Sequence, residues 1–590
     1  MSIQHQYQST STITTAAVQP INPQPFHQES STQILLPPPS SSSSQTAFIN
    51  PVQEFNRDLS IAAIRAWHSI RQDETRNRAA SRPRGRTNDH PKARRTVGTE
   101  DSEDQPTKRQ RTTDTTDSSH QLPTLPDNRQ PDTNHKPVTE PVIDDLSNPP
   151  SDHRDRTPTF TALEALSATG LRAIRYAKEI PSMRWIIAND LSPSAVSAIR
   201  ANIRHNGLEP ERPEVDLGKV RVNQGDACDL MYSHRNPKRQ FDLVDIDPYG
   251  TAAPFMDAAV QCVRDGGLLC ITCTDLAVLA GSAYPEKCFS NYGGSSLRAE
   301  YSHEYALRQV LHAISSSASR YGRQIKPLLS LSIDFYVRIF VRVFNSPVEV
   351  KKCITKTSLV YVCSSCSAYN FQSLGRSTEK STKSGKGTNV SYHHSTGPPV
   401  PGSSCEECGG KLHVAGPLWS GPLHDQDFMI KLLEGTEDED CGLKTVKRIK
   451  GMVEIAKREL VDSPFFFTPS NISKIFHCTS PSLVTVASAL LNGGYQVSRS
   501  HCQPGSIKTD APRKFLYDIM RKWIESNPVK LENIKEGSPG RVLLSKPITF
   551  DVKFDWNEDV ENRLMSDIKV VRYQSNPEPN WGPKSRATAR

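Results

Sequence analysis

The stretch FTALEALSATGLRAIRYA, residues 160–177, decides the fold. It begins with a short apolar run, turns at Gly170 through small residues, and continues with apolar positions at helical spacing. This order is typical of a strand, a tight turn and a helix. The same alternation continues to about residue 345. It predicts an α/β domain with a parallel, doubly wound sheet, in which a ligand lies beyond the carboxyl ends of the strands.

The elements of this sheet can be placed individually. The expected strands are FTALEAL (160–166), MRWIIA (183–188), VRVNQG (220–225), FDLVDID (241–247), GLLCITC (267–273) and SIDFYVRIFVRV (332–343). Helices are expected to begin near Gly170, Ser192, Cys228, Pro254 and Tyr301.

Composition divides the rest of the 590-residue chain into ordered and disordered parts. Hydrophobic residues make up only 36%, so long polar segments cannot bury enough apolar surface to fold. The expected parts are a disordered tail (1–45), the N-terminal part of the α/β domain (46–71), a disordered insertion (72–156), the main α/β domain (157–350), a cysteine module with a low-complexity insert at 376–396 (351–415) and a mainly helical α+β C-terminal domain (416–590). Within the tail, residues 33–36 have the pattern of a short strand.

Charge and leader patterns restrict the environment of the chain. The formal net charge of +8 favours a polyanionic partner such as nucleic acid. No apolar run reaches the roughly eighteen residues of a membrane-spanning helix, and the start lacks a secretory pattern, so we expect no membrane contact and reduced thiols. The basic clusters KARR (92–95) and KRQR (108–111) suit a bipartite nuclear-import signal or, equally, a solvated linker. A mitochondrial or cytoplasmic pool stays open. No segment indicates a protein partner, so we expect a monomer.

Polar or small residues follow the first three strands, at the edge where a ligand is expected. Gly170 makes the first turn, Asp190 ends the second strand, and Asp226 with Ala227 follows the third. This order suits an adenosine ligand, since a carboxylate can accept both ribose hydroxyls. The G-x-G-x-x-G turn of dinucleotide-binding folds is missing, so S-adenosylmethionine fits better than a nicotinamide cofactor. Taken alone, Asp190 is more often a turn or helix-capping residue.

The sequence Asp247-Pro248-Tyr249-Gly250 at the end of the fourth strand carries the most specific chemistry. The Asp247 carboxylate and the Pro248 carbonyl can accept the hydrogens of an exocyclic amine, while the Tyr249 ring stacks on the base. Such a site directs an amino nitrogen toward a methyl donor, and Asp247 can accept the proton that the amine loses. The alternative is a plain Asp-Pro turn.

Two cysteine pairs, Cys363-x-x-Cys366 and Cys405-x-x-Cys408, have the spacing of zinc knuckles. Four thiolates form a tetrahedral set with every ligand from the protein, so the expected zinc ion is structural. The long gap between the pairs is explained by the low-complexity insert. Four unrelated buried thiols are the alternative.

Together these pieces resemble the tRNA (guanine-26-N2)-dimethyltransferase family. The matching segments are FINPVQEFNRDLS, ALSATGLRAIRYA, ANDLSPSAV, GDA, DIDPYGTAAPFMDAA, CTDLAVLAG, GPLWSGPLHD, RSHCQPGSIKTDAP and NWGPK. The resemblance implies a Rossmann-like class I methyltransferase domain that transfers one or two methyl groups from S-adenosylmethionine to a guanine amine in tRNA. The segment ESSTQILL (29–36) departs from the Gly-Lys-containing pattern of the family.

The resemblance also assigns individual residues. The positions that match the family's cofactor contacts are Arg57, Arg172, Asp190, Asp226 and Ala227. Asp247 matches the catalytic acid, and Phe48 matches an aromatic residue that packs near the target base. Without the resemblance, Arg57 is better explained as a helix-surface residue and Phe48 as a core anchor. The insertion at 72–156 separates Arg57 from a cofactor turn that it must meet in space.

Basic residues of the C-terminal region suit contacts with RNA phosphates. The expected contacts are Arg499, His501, Lys508, Arg513 and Lys514, with Lys584 and Arg586 of the tail. His413 and His424 are not needed as metal ligands and are expected on the surface or at the RNA. Two alternative functions stay open. One is methylation of an adenine or glutamine amine, and the other is a non-enzymatic tRNA-binding protein, in which Asp247→Ala would leave cellular activity intact.

Overall fold

The fold is described here from a computed structural model, which covers residues 25–36, 53–81, 159–210, 216–382, 387–438, 441–564 and 571. Phe48, the basic clusters at 92–95 and 108–111, Lys584 and Arg586 lie outside the described residues. Within the described ranges, no helix combines the length and apolar character that crossing a bilayer requires.

The described chain begins with a hairpin and a long helix. Strands β1 (Phe26–Glu29) and β2 (Thr32–Leu35) pair antiparallel, and α1 spans Glu54–Ala80. The hairpin lies within the segment 1–45, for which composition predicts disorder. It is ordered because Ile34 packs into the core and the buried Glu29 carboxylate pairs with arginines. The helix continues past residue 71, the predicted end of this ordered segment, to Ala80.

A seven-stranded sheet forms the centre of the fold. Its strands are β3 (Phe160–Glu164), β4 (Met183–Asp190), β5 (Val220–Gln224), β6 (Phe241–Ile246), β7 (Val263–Cys273), β8 (Arg323–Ile333) and β9 (Tyr336–Asn345), in the order β5-β4-β3-β6-β7-β9-β8. The α/β fold is confirmed, but the sheet is mixed, because β9 runs antiparallel to β7 and β8. The prediction of one strand at 332–343 is wrong. Asp334, with a φ of 44°, turns the chain there and creates the β8–β9 hairpin.

Helices cover both faces of this sheet. They are α2 (Leu171–Glu179), α3 (Pro193–His205), α4 (Ala227–Ser233), α5 (Ala253–Cys262), α6 (Leu276–Leu279), α7 (Pro285–Tyr292) and α8 (Ser302–Ser319). The five expected helix starts are confirmed, whereas α6 and α7 are too short to show a periodic pattern. One core lies between the sheet and α1, α2 and α3, and a second lies between the sheet and α4, α5 and α8. All six residues of β6 are buried, because helices cover both faces of the sheet at this strand.

The cysteine module follows a short helix, α9 (Pro347–Val350), and a 3-10 turn, Lys351–Lys356. Its strands β10 (Thr357–Cys363), β11 (Tyr369–Ser373) and β14 (Leu412–Trp419) form an antiparallel sheet in the order β11-β10-β14. The low-complexity insert is not featureless. It forms a separate two-stranded ribbon of β12 (Gly375–Ser381) and β13 (Thr388–His394).

The C-terminal region is mainly helical, as expected. Its elements are α10 (Gln426–Glu434), α11 (Val446–Arg458), α12 (Pro469–Phe476), α13 (Leu483–Asn492), β15 (Val497–Ser498), β16 (Lys508–Thr509), α14 (Arg513–Ser526), α15 (Pro539–Ser545) and α16 (Asp559–Leu564). Apolar residues of α10 and α11 belong to the core of the central sheet. The elements from α12 onward pack in a core of their own, which also includes the four cysteines of the module.

Candidate active site

The turn between β3 and α2 forms one side of the candidate cofactor site. Gly170 has a φ of 78° and stands immediately before the first residue of α2. A Cβ at this position would lie 3.1 Å from Cγ2 of Ile199. Both the left-handed backbone and the close approach of α3 therefore favour glycine.

Asp190 connects this turn with the end of β4. Its Oδ2 accepts a hydrogen bond from the Ala168 amide at 2.9 Å, and its Oδ1 accepts one from the Ser192 amide at 2.9 Å. Asp190 is thus a turn-fixing residue, as its sequence context alone favours. Because each carboxylate oxygen has two acceptor positions, the half-buried carboxylate also keeps capacity for two ribose hydroxyls.

Asp226 and Ala227 follow β5 at the start of α4, close to Asp190, since the end of β5 pairs in register with the end of β4. Asp226 caps α4 through Oδ1, which accepts hydrogen bonds from the amides of Cys228 at 2.7 Å and Asp229 at 3.1 Å. The Asp226 side chain is exposed and Ala227 is small and buried. The pair therefore offers a polar acceptor beside a flat, apolar surface, which suits an adenine ring.

The loop of residues 247–250 follows β6, which lies two strands from β4. Gly250 has a φ of 98°, and its amide donates to Thr274 Oγ1 at 2.7 Å. The Thr274 amide donates in return to the Gly250 carbonyl at 2.8 Å, which fixes the loop to the end of β7. Pro248 is buried, whereas Tyr249 is 84% exposed. An exposed ring on a fixed loop can stack on a base.

Arg172 links the cofactor side to this loop. It lies on the first turn of α2, is buried, and donates through Nη2 to Oδ2 of Asp247. Its Nη1 donates to Ser60 Oγ of α1 at 3.3 Å, so α1 and α2 meet in space despite the insertion at 72–156. Strands are spaced about 4.8 Å apart, which places the ends of β4 and β6 about 10 Å from each other. Asp190 and Asp247 therefore share one edge of the sheet.

A buried ion network lies beneath the loop and was not predicted from the sequence. Asp245 accepts hydrogen bonds from Arg338 at 2.7 and 3.0 Å and from the Tyr176 hydroxyl at 2.7 Å. Burial alone would raise the pKa of Asp245, but Arg338 and Arg172 hold it below its ordinary value. A sequence signal was present, because a charge within an apolar strand needs a buried partner.

Glu164, at the end of β3, is the third carboxylate of this network. Its Oε2 accepts hydrogen bonds from the Ser167 hydroxyl at 2.7 Å and the Ala173 amide at 3.1 Å. Burial raises the pKa of Glu164 to about 8, although Arg172 acts in the opposite direction. Glu164 is therefore protonated at neutral pH, and the two arginines of the network lie beside Asp245 and Asp247.

Arg57 lies against the N-terminal hairpin. Its Nε and Nη2 each donate to Glu29 at 2.6 Å, and the same carboxylate accepts from Arg175 at 2.6 Å. Burial alone would raise the pKa of Glu29, but the two arginines lower it to about 2. Arg57 lies near α2, and two nitrogens of its guanidinium are bonded to Glu29. The assignment of Arg57 as a cofactor contact stays a prediction.

Comparison with known proteins identifies the family. The family model described as N2,N2-dimethylguanosine tRNA methyltransferase matches residues 27–521. A Schizosaccharomyces pombe protein named tRNA (guanine(26)-N(2))-dimethyltransferase is 46% identical over 545 residues, which cover 91% of this chain and 89% of that protein. The chain belongs to this family. A mitochondrial tRNA (guanine(26)-N(2))-dimethyltransferase from Saccharomyces cerevisiae is 39% identical over 559 residues, 92% of this chain and 89% of that protein.

The family fold is also seen in a solved structure. Trm1 from Pyrococcus horikoshii, in complex with S-adenosyl-L-methionine, aligns with a TM-score of 0.56 over 83% of this chain and 98% of that chain. Its sequence identity is 22%, so the likeness concerns the fold. The expected class I methyltransferase architecture is confirmed for this member of the dimethylguanosine methyltransferase family.

The four predicted metal ligands of this family member lie together. The sulfur atoms of Cys363 and Cys408 are 3.4 Å apart, those of Cys366 and Cys405 are 3.7 Å apart, and all four lie within 4.8 Å of one another. A tetrahedral zinc ion with Zn–S bonds of about 2.3 Å needs S–S separations of about 3.8 Å. The Gly410 amide points at the Cys408 sulfur, at 3.4 Å. Donor type and spacing therefore fit a structural zinc ion.

Two of the predicted phosphate contacts are wrong, because they are buried in the protein. The Lys508 ammonium lies between Glu304 at 3.0 Å and Glu459 at 3.1 Å. His501 is also buried, and its Nδ1 contacts Glu459 at 2.6 Å. Arg513 is half-buried and donates to the Cys366 carbonyl at 3.1 Å. These residues hold the C-terminal region against its neighbours.

The remaining basic candidates differ in exposure. Lys514 and His413 are exposed, Arg499 is half-buried, and the His424 ring packs against the His501 ring.

His424, Glu459 and His501 are close enough to hold a metal ion. However, the Ser332 amide donates to Nε2 of His501 at 3.2 Å, and Lys508 already balances the Glu459 charge. The cluster is therefore a hydrogen-bonded ion network.

Proposed function

We propose that this chain transfers one or two methyl groups from S-adenosylmethionine to the N2 amine of guanine 26 in tRNA. The observation that carries the proposal is the position of Asp247, on a fixed loop at the same sheet edge as Asp190. Family membership supports it, since relatives along most of the chain are named for this reaction.

Asp247 and its neighbours are suited to hold the guanine amine. Arg172 contacts Oδ2 of Asp247, which leaves Oδ1 to accept a hydrogen from the amine. The carbonyl of Pro248 is the second acceptor, and the exposed Tyr249 ring stacks on the base. With both hydrogens held, the nitrogen lone pair is directed away from the loop and toward the cofactor edge.

Asp247 also receives a proton in this proposal. S-adenosylmethionine, when bound, supplies an electrophilic methyl group. The guanine nitrogen must lose one proton as its bond to the methyl carbon forms, and Oδ1 of Asp247 accepts that proton. Arg172 keeps the carboxylate fixed in the orientation that this transfer needs.

The cofactor contacts are proposed as follows. Asp190 accepts the ribose hydroxyls, while Asp226 and Ala227 meet the adenine. Arg172 and Arg57 complete the site, the latter in the position that Glu29 fixes. Phe48, which lies outside the described residues, is proposed to pack near the target base.

A structural zinc ion on Cys363, Cys366, Cys405 and Cys408 is part of the proposal. Each cysteine pair comes from one knuckle, so the ion would join β10 to the segment before β14. The carbonyl of Cys366 accepts a hydrogen bond from Arg513 of α14. The zinc site would therefore support the docking of the C-terminal region, without contact with the reacting atoms.

The cellular setting is proposed from the sequence. The clusters at 92–95 and 108–111 favour nuclear import, while a relative from Saccharomyces cerevisiae is named as mitochondrial. Imaging of a fluorescent fusion, with and without both clusters, tests the nuclear assignment. We also propose that the enzyme acts as a monomer, which light scattering of the purified protein can test.

Nucleoside analysis tests the activity. Unmodified tRNA transcript is incubated with purified protein and S-adenosylmethionine that carries a labelled methyl group, then digested and separated by mass spectrometry. We expect label in N2-methylguanosine and N2,N2-dimethylguanosine. Label in an adenosine, or in a protein glutamine, would favour the alternative methylation reactions. Absence of label under conditions where the protein binds both cofactor and tRNA would favour a non-enzymatic tRNA-binding protein.

A further inference from the structure

The β12–β13 ribbon stands apart from the hydrophobic cores. Its two seven-residue strands pair without interruption from Gly375 opposite His394 to Ser381 opposite Thr388. At about 3.4 Å per residue, the ribbon is about 20 Å long. Apart from Gly375, which is buried at its base, its residues are exposed or half-buried on both faces. No residue of the described ribbon belongs to one of the hydrophobic cores.

The base of the ribbon is held firmly. The Leu374 amide donates to the Thr357 carbonyl at 2.8 Å, and the Gln372 side chain donates to the Gly397 carbonyl at 2.8 Å. A Cβ at Gly375 would lie 2.8 Å from Ile354, so the first residue of β12 packs closely on the 3-10 turn. The ribbon is therefore fixed at its base and exposed along the rest of its length, which leaves it accessible to a partner.

The strand register separates the side chains of the ribbon into two faces. Residues two apart in a strand share a face, as do residues directly opposite each other in the two strands. One face, which we call the basic face, carries Arg376, Thr378, Lys380, Asn389, Ser391 and His393, through the pairs 376–393, 378–391 and 380–389. The other face carries the acidic Glu379.

The basic face has the chemistry of a phosphate-binding surface. Among its described residues there is no carboxylate and no apolar side chain. Arg376 and Lys380 have no ion-pair partner among the described residues, and both are exposed. Between them, the Thr378 hydroxyl and Nε2 of His393 form a hydrogen bond of 3.0 Å across the two strands, so polar groups fill the space between the two cations.

We propose that the basic face of the ribbon binds the phosphate backbone of the tRNA substrate. The inference rests on the proposed function and adds a second contact surface outside the methyl-transfer site. Phosphate contacts of this kind position the RNA and supply salt-dependent affinity without reading its sequence. Arg376 can bind one phosphate through two hydrogen bonds, while the Lys380 ammonium attracts a second phosphate through its charge.

The test is the double variant Arg376→Ala/Lys380→Ala in the full-length protein. Two lost phosphate contacts should reduce the slope of log affinity against log salt by about 1.4 to 1.8 and weaken tRNA binding about tenfold near 0.1 M salt. The KM for tRNA should rise to the same extent, whereas kcat at saturating tRNA and the affinity for S-adenosylmethionine stay within twofold. The charge-conserving variant Arg376→Lys/Lys380→Arg should restore most of the affinity.

A matched control removes one arginine and one lysine elsewhere. In Arg204→Ala/Lys431→Ala, both side chains belong to surface ion pairs with nearby glutamates. This control changes the net charge equally and should keep the wild-type salt slope. If the ribbon variant matches the control while the wild type methylates tRNA, the ribbon inference is overturned and the proposed function stands. If the wild type neither binds nor methylates tRNA, both are overturned.

Discussion

Asp247→Asn removes the charge of the candidate catalytic carboxylate and keeps its shape. The asparagine carbonyl can still accept one hydrogen of the guanine amine, but it cannot take up the proton. Loss of a general base lowers kcat by about 10² to 10⁴, and a thousandfold loss corresponds to about 4 kcal/mol in the barrier. The affinity for S-adenosylmethionine should change less than about threefold, because Asp190 and Asp226 are untouched.

The effect of this substitution on stability can also be estimated. In the wild type, Arg172 and Arg338 face Asp245 and Asp247, with Glu164 protonated because its pKa is about 8. Removing one partner of a fully buried ion pair costs about 3–5 kcal/mol. The Asp247 side chain is 22% exposed, and Arg172 keeps a contact at 3.7 Å with the Asp245 carboxylate. We therefore expect a smaller loss of about 1–2 kcal/mol in the free energy of unfolding.

Single-turnover methyl transfer to a tRNA transcript measures the loss of rate in Asp247→Asn, and denaturant unfolding measures its loss of stability. Asp265→Asn is a matched control, because Asp265 accepts the Asn345 amide at 2.7 Å near the start of β7, the opposite edge of the sheet. The control should retain wild-type activity. The role given to Asp247 is refuted if Asp247→Asn keeps more than a tenth of the wild-type rate, or if its defect lies entirely in cofactor affinity.

Three further predictions concern groups around the site. Glu164 has a folded pKa raised from 4.5 to about 8, so its contribution to stability is full below pH 4.5 and is lost as the pH rises through about 8. Between pH 5 and 8, the free energy of unfolding, measured with denaturant, should fall by roughly 3 kcal/mol more for the wild type than for Glu164→Gln. Plots of this free energy against pH that run parallel for the two proteins would contradict the assignment. Lys508→Met leaves Glu304 and Glu459 without their shared ammonium and should lower the free energy of unfolding by about 3 kcal/mol, measured in the same way. An unchanged denaturation midpoint would show that Arg308 and His501 suffice to balance the two carboxylates. Elemental analysis should find about one zinc per chain in the wild type and none in Cys408→Ser. This variant should have a lower Tm than the wild type but the same affinity for S-adenosylmethionine.

Much of the site could be placed from sequence because it lies at strand ends. The positions of Asp190, Asp226 and Asp247 follow from the alternation of strands and helices, and the carboxyl ends of parallel strands share one edge. The cysteine pairs were equally accessible, since knuckle spacing is local. In each of these cases a short stretch of sequence determines the local geometry.

Other features depend on contacts between distant segments. The partner of Arg57 is Glu29, in a hairpin within a segment whose composition predicts disorder. The partner of Asp245 is Arg338 on β9, although the sequence pattern predicts a single strand over 332–343. Lys508 is buried although its neighbours in sequence are basic and polar. Local pattern shows that such charges exist, but not which of them pair inside the fold.

The central claim is that Asp247 acts on the N2 amine of guanine 26, and deletion of that amine tests it directly. Inosine differs from guanosine only in lacking the exocyclic 2-amino group. A tRNA with inosine at position 26 should bind with nearly the affinity of the guanosine form but accept no methyl label, whereas the guanosine form is methylated. Equal incorporation of label into both tRNAs would contradict the account.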